Sequence, residues 1–268
     1  MRRVFIFRSA KIQKGLDTIM KKKTKIIFSV VAAVIVLAVI LVFVFKNAGG
    51  NLDVVGKESV NSFDTILQTI PDKVEADEMN GGWALASPDE SARFTWSEDY
   101  SKSPLHDVML ELDAKSFLDA GLDPNKLPDN YVFYEGDMIG NMSSAMLMVG
   151  TKLGNDSLSY SGAPTPLAAY EQIVDKYRGS INYHTSLDHY GVKLGDGNMF
   201  EWAKDLSTNG STGENQDKDI VFVLNPEPLV IAGVDPEKVA GWVYAQVPVE
   251  ENGQTTNVWK LLKPFDLK

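Results

Sequence analysis

One stretch of the chain, YHTSLDHYG at residues 183–191, gathers His184, Asp188 and His189, residue types that hold divalent metals or carry protons near neutral pH. Metal binding by two histidines usually uses helical i, i+4 spacing and needs a third ligand. Here the separation is five, and the first half of the chain has no counterpart. The stretch is therefore expected to be a solvated loop. A Ser-His-Asp triad lacks its G-x-S-x-G elbow. Glu98, Asp99, Glu201 and Asp205 could form the acid and base pair that cleaves a glycoside, but a chain with 36 acidic residues produces such pairs by number alone.

Calcium could draw oxygen ligands from NGSTGENQDKD (209–219) or DPNKLPDN (123–130), yet neither shows the ordered D-x-[DN]-x-[DN]-G with a distal Glu. KLGDGN (193–198) reads as a hairpin turn rather than a phosphate loop. Trp96 and Trp202 stand two residues after Phe94 and Phe200. Such aromatics can stack on sugars, but their recurrence in both halves predicts core positions that the fold requires. With no cysteine, the chain has no thiol nucleophile, no disulfide and no lipid-modified cysteine. These residues point to no catalytic residue, no metal ligand and no cofactor, and leave the ligand-binding residues unassigned.

The elements that position these residues begin with an apolar run, Ile26 to Phe45, in which Ser29 is the only polar residue. About 20 such residues cross a hydrocarbon core of roughly 30 Å. Nine basic residues precede it against Asp17 alone, so the positive-inside bias places the amino terminus in the cytoplasm. The run is too long, and KNAGGNLD too poor a cleavage site, for a removed signal peptide. It is expected to remain as a signal-anchor; Met20, directly before KKKTK, would also serve as a start. Of 26 Lys and Arg and 36 Asp and Glu, nine and one lie before Ile26, which leaves 17 basic and 35 acidic residues beyond it and a net charge of −18. Such a region repels phosphate backbones, which excludes nucleic acid as a partner. A bacterial surface protein fits this composition, and there the Asn-x-Ser matches at Asn141, Asn155 and Asn209 carry no glycan.

The remaining chain repeats itself. DVMLELDAKSFLDAGLDPNKL from Asp107 and DIVFVLNPEPLVIAGVDPEKV from Asp219 agree in Asp, Leu, Ala, Gly, Asp, Pro and Lys. FTWSEDYS from Phe94 is echoed by FEWAKDLS from Phe200, and the helical stripe Val60, Phe63, Ile66, Leu67, Ile70 by Leu167, Tyr170, Ile173, Val174, Tyr177. Three collinear matches indicate a tandem duplication. The expected fold class is α+β, in six segments: a basic cytoplasmic stretch 1–25, the anchor 26–45, a linker 46–54, a first module 55–152, a second linker 153–164 and a second module 165–268. Each module is expected to be an antiparallel sheet covered by two helices.

Local chemistry fills in the detail. Thr165 and Pro166 should cap and open the second long helix. Hairpin turns fall at SPDES and GDGN. Asp113 and Asn225 should end a strand and cap a short helix that closes at Gly121 and Gly233, with Leu122 packing on Phe117 and Val234 on Leu229 as the Schellman arrangement requires. The function expected is a membrane-anchored extracytoplasmic binding protein, joined to the membrane through the Ile26 to Phe45 helix, with an extracellular protein or glycan as partner. The alternatives are a surface hydrolase of wall polysaccharide or peptide and an accessory subunit of a membrane complex. Function is placed where the copies differ: Thr208 to Lys218 and Tyr183 to Tyr190.

Overall fold

The computed structural model describes residues 53–77, 81–97, 107–136, 145–153, 165–185, 187–206, 218–251 and 254–267. The Ile26 to Phe45 run, Glu98, Asp99, the three Asn-x-Ser sites and all of the 208–218 loop except Lys218 lie outside these residues. Among the described residues no helix is long and apolar enough to cross a membrane.

The first half runs α1 (Val54–Thr69), β1 (Val74–Asp77), β2 (Gly82–Ala86), β3 (Ala92–Ser97), β4 (Val108–Asp113), α2 (Lys115–Asp119), β5 (Tyr131–Glu135) and β6 (Ala145–Thr151). The second half repeats the order as α3 (Pro166–Lys176), β7 (Ile181–His184), β8 (His189–Lys193), β9 (Met199–Ala203), β10 (Ile220–Leu224), α4 (Glu227–Ile231), β11 (Val243–Glu251) and β12 (Gln254–Phe265). Each half forms a six-stranded sheet, ordered β1-β2-β3-β4-β6-β5 and β7-β8-β9-β10-β12-β11, with every pairing antiparallel. The protein is thus α+β, as its sequence pattern predicts.

Local signals are realised closely. The Thr165 hydroxyl accepts from Ala168 N at 3.1 Å with Pro166 opening α3. Asp113 and Asn225 accept from Lys115 N and Glu227 N. Both short helices end in the Schellman pattern, in which Leu122 N donates to Phe117 O and Val234 N to Leu229 O, each at 2.9 Å. Gly121 and Gly233 hold φ of 106° and 99°, a region that L side chains rarely adopt. The repeated Asp107 and Asp219 are buried and accept from Leu153 N and Leu267 N. They tie the start of β4 and β10 to the chain just beyond β6 and β12.

Two short strands were not legible in the sequence. β1 reads VEAD and β7 reads INYH; each alternates apolar and polar residues, but over only four positions at a sheet edge, too short a run to stand out from the turn before it. Only pairing with β2 and β8 defines them.

The two halves share one core, and the contacts across it are reciprocal. Asp123 N donates to Ala232 O at 2.8 Å, and its counterpart Asp235 N donates to Ala120 O at 2.9 Å. Equivalent rings face each other: Phe63 and Tyr170 have centroids 4.1 Å apart, Phe94 and Phe200 4.3 Å. Residue pairs that meet their own equivalents define a pseudo-twofold axis. The long helices pack on one another across it, and α3 also approaches β2 and β3 of the first sheet. Trp96 Nε1 of the first sheet donates to Pro166 O of α3, while Trp202 Nε1 of the second sheet donates to Ser62 Oγ of α1. Each half's indole is therefore held by the other half's helix. This refines the expectation that each sheet is covered by its own helices: the apolar stripe of each helix is wide enough to fill both sides of the junction. The result is one compact unit, Leu52–Lys268, which holds this core.

Trp202→Phe should cost about 2 kcal/mol in urea unfolding, since one buried hydrogen bond is lost and the smaller ring leaves a void in the core, while Ser62 Oγ keeps its bond to Ser59 O. Stability unchanged within error would remove the indole's bond to the opposite helix from the account.

Candidate functional site

β10 pairs with β12 only along Leu261–Phe265, so residues 254–260 of β12 and their partners on β11 extend past the end of β10 as a two-stranded arm. Two-stranded ribbons twist strongly. Side chains of the arm, Val247, Val249 and Val258, join Met199, Val221, Val223 and Leu262 of the sheet in one cluster on the face away from the shared core. The arm thus curls over the outer face of the second sheet. Between them lies a groove of about 1000 Å³, at the upper end of the sizes typical of small-molecule sites. Pro248 sits on β11, the edge strand, where a missing N–H helps blunt further strand pairing.

The floor of this groove is aliphatic because β10, IVFVL, is apolar on both faces: Ile220, Phe222 and Leu224 enter the shared core, while Val221 and Val223 face the groove. One end is bounded by the β8–β9 turn with Lys193, Asp196 and Asn198, and by Val230 and Ile231 of α4, which are 48% and 68% exposed. Tyr244 and Trp259 stack at 4.5 Å beside them. The other end carries Asn182, His184 and Glu201.

Glu201 lies opposite Gly191 on β8 and Val221 on β10, and is 8% exposed. No hydrogen bond reaches its carboxylate among the described residues, and its one ion-pair contact is His184 Nδ1 at 3.9 Å. Burial pushes its pKa up to about 7, with Lys260 pulling the other way. His189 pairs with His184 across β7 and β8, is fully buried, and has neither ring nitrogen hydrogen-bonded among the described residues. Burial, then the neighbouring His184, lowers its pKa to about 4, partly countered by Asp188, so the ring is neutral at neutral pH.

The expectation of a solvated histidine loop is corrected here. His184 and His189 are strand residues, one lining the groove and one beneath the surface, and only the short turn between them is loop. The i, i+5 separation, which disqualified a helix, is what a tight hairpin needs to bring two residues face to face. Asp188 lies in that turn, with φ of 55°, and accepts from Tyr183 Oη at 2.5 Å. Among the described residues no group of three His, Asp or Glu side chains is arranged to hold a metal.

Trp96, Trp202, Phe94 and Phe200 are in the core and unavailable to a sugar. Asp205 is exposed at the end of β9, apart from the buried Glu201. In the 123–130 stretch, Asp123 caps the Pro124–Lys126 turn and pairs with Lys126 at 3.2 Å. Asn130 reaches Asp196 of the β8–β9 turn at 2.5 Å.

The groove described here is lined by residues of the second half. At the equivalent register of the first sheet, Met199 and Val223 are replaced by Arg93 and Glu111, and Glu201 by Thr95. Arg93 there pairs with Glu75 at 3.0 Å and stands 3.7 Å from Glu111. Burial, then Asp77, raises the Glu111 pKa to about 7, with Arg93 opposing. No protein-family model, curated protein or solved structure matches the chain.

Proposed function

We propose that this is a membrane-anchored, extracytoplasmic binding protein. In this reading the Ile26 to Phe45 segment is the anchor, the two halves descend from a tandem duplication, and the second half takes an elongated, mainly apolar ligand in the outer groove of its sheet. The observation that supports the reading is the exchange of one cross-strand pair at equivalent positions of the two sheets: Arg93 with Glu111 in the first, Met199 with Val223 in the second. In the first sheet the ion pair stands beside a buried methionine cluster, Met109, Met146 and Met148, and puts charge where the second sheet is aliphatic. An aliphatic pair at the same place supplies binding free energy of roughly 25 cal/mol for each Å² it removes from water. Curvature of the arm and a preformed opening lower the ordering cost on binding.

The test transplants the first half's pair into the second. In the chain beyond residue 51, Met199→Arg with Val223→Glu should abolish the fluorescence enhancement of the neutral dye Nile red while preserving the far-UV spectrum and a cooperative melt. A folded double variant that takes up the dye like the parent would sink the groove. The anchor is checked separately: protease added outside intact cells should remove the chain beyond about residue 50, and recovery of a soluble protein starting near Gly49 would overturn it.

A further inference from the structure

Glu201 is a feature of the groove that an apolar ligand does not explain. A carboxylate that is nine-tenths buried, has no hydrogen bond among the described residues and faces an aliphatic floor is costly to the fold. Its neighbours compensate it only in part, Lys260 through its charge and without a hydrogen bond to it. Gly191 and Val221 lie opposite on β8 and β10 and offer no side-chain donor. His184 on β7 stands at 3.9 Å, beyond hydrogen-bond distance. Lys260 on β12 donates its amine to the Gly197 carbonyl at 2.8 Å. Lys193 and Asp196 belong to the turn end of the groove. The first sheet has Thr95 at the equivalent position, so the shared fold does not require an acid there.

Resting on the groove reading, we infer that the ligand is an amphipathic cation, whose ammonium or guanidinium group pairs with Glu201 while its apolar body lies along Val221, Val223, Val258 and Leu262. A partner charge inside a water-poor groove gives a strong charge-assisted hydrogen bond. The net charge of −18 beyond Ile26 draws cations toward the surface and raises their rate of encounter. Because the Glu201 pKa stands at about 7, the carboxylate ionises across the neutral range, and cation binding should strengthen as pH rises through it. His184 Nδ1, 3.9 Å away, faces the same carboxylate.

The experiment titrates n-octylammonium, n-octanol and n-octanoate into the full chain in lipid nanodiscs, with titration into empty nanodiscs subtracted. Octylammonium should bind about tenfold more tightly than octanol at about pH 8, octanoate most weakly, and the preference should shrink at about pH 6. Glu201→Gln should bring octylammonium to the affinity of octanol, and so should Glu201→Thr, which installs the first half's residue and guards against a folding defect in the other variant. Equal binding of all three ligands would leave the groove standing and overturn the cation. Tightest binding of octanoate would overturn it in favour of the lysines. A preference that survives both substitutions would assign the effect to the diffuse acidic surface and likewise overturn it. If none of the three binds, the groove reading itself falls, and this inference with it.

Discussion

Gly121→Ala should cost several kcal/mol, far more than loss of a helix cap. As a cap alone, a residue at φ of 106° stores strain of about 1–3 kcal/mol when it carries a side chain. The tertiary contact adds to that. A Cβ at Gly121 would come 2.7 Å from the Gly233 carbonyl oxygen, and one at Gly233 would come 2.8 Å from that of Gly121. Both obstacles are backbone, so neither can rotate away. Separating them pulls on the paired bonds from Asp123 N to Ala232 O and from Asp235 N to Ala120 O, each worth about 1 kcal/mol. Gly81 provides an internal control, since its φ is 67° but no atom of the described residues lies within 4 Å of its virtual Cβ. In urea unfolding, Gly121→Ala and Gly233→Ala should each lose at least about 2 kcal/mol more than Gly81→Ala. The double variant should lose less than their sum, because the same junction opens once. Three equal losses would show that only the cap matters.

Glu201→Gln should make the protein more resistant to unfolding as the solution becomes alkaline. The sign follows from linkage. Folding raises the Glu201 pKa from 4.5 to about 7, so the folded state holds a proton that the unfolded state has released. The group's contribution is fully present below about pH 4.5 and is lost as pH rises through about 7. A rise of that size corresponds to about 3 kcal/mol between the two limits. Glutamine does not titrate, so the difference in unfolding free energy between variant and parent should grow by about 3 kcal/mol from about pH 4 to about pH 8. The growth with pH carries the prediction, because the amide's own hydrogen-bonding needs shift both ends equally. A difference that stays flat with pH would mean that the carboxylate is solvated. Residues that lower stability while lining a groove are expected where function opposes stability.

The helix stripes, the Schellman glycines, the Thr165 cap, the hairpin turns and the duplication are all legible in the sequence, because each depends on residues within a few positions of one another or on direct repetition. Trp96 and Trp202 were legible as core for the same reason, since both copies keep them. The groove was not. IVFVL at residues 220–224 reads as a strand buried on both faces, and nothing in those letters separates Val221 and Val223 from the core residues between them. What covers each face is decided by the distant arm of β11 and β12. The histidines read as loop in the sequence because their strands are short and gain their character only from pairing with β8 and β9. Where each helix lies was equally hidden: a stripe of apolar residues requires burial but does not name the surface that provides it. Sequence alone determined the local elements and their doubling, whose interactions span a few residues. Tertiary structure decided which half's helix holds which tryptophan, and that one outer face is left open beside a buried carboxylate, because those outcomes depend on contacts between segments more than 100 residues apart, such as Ser62 with Trp202, or on a curvature that no single segment encodes.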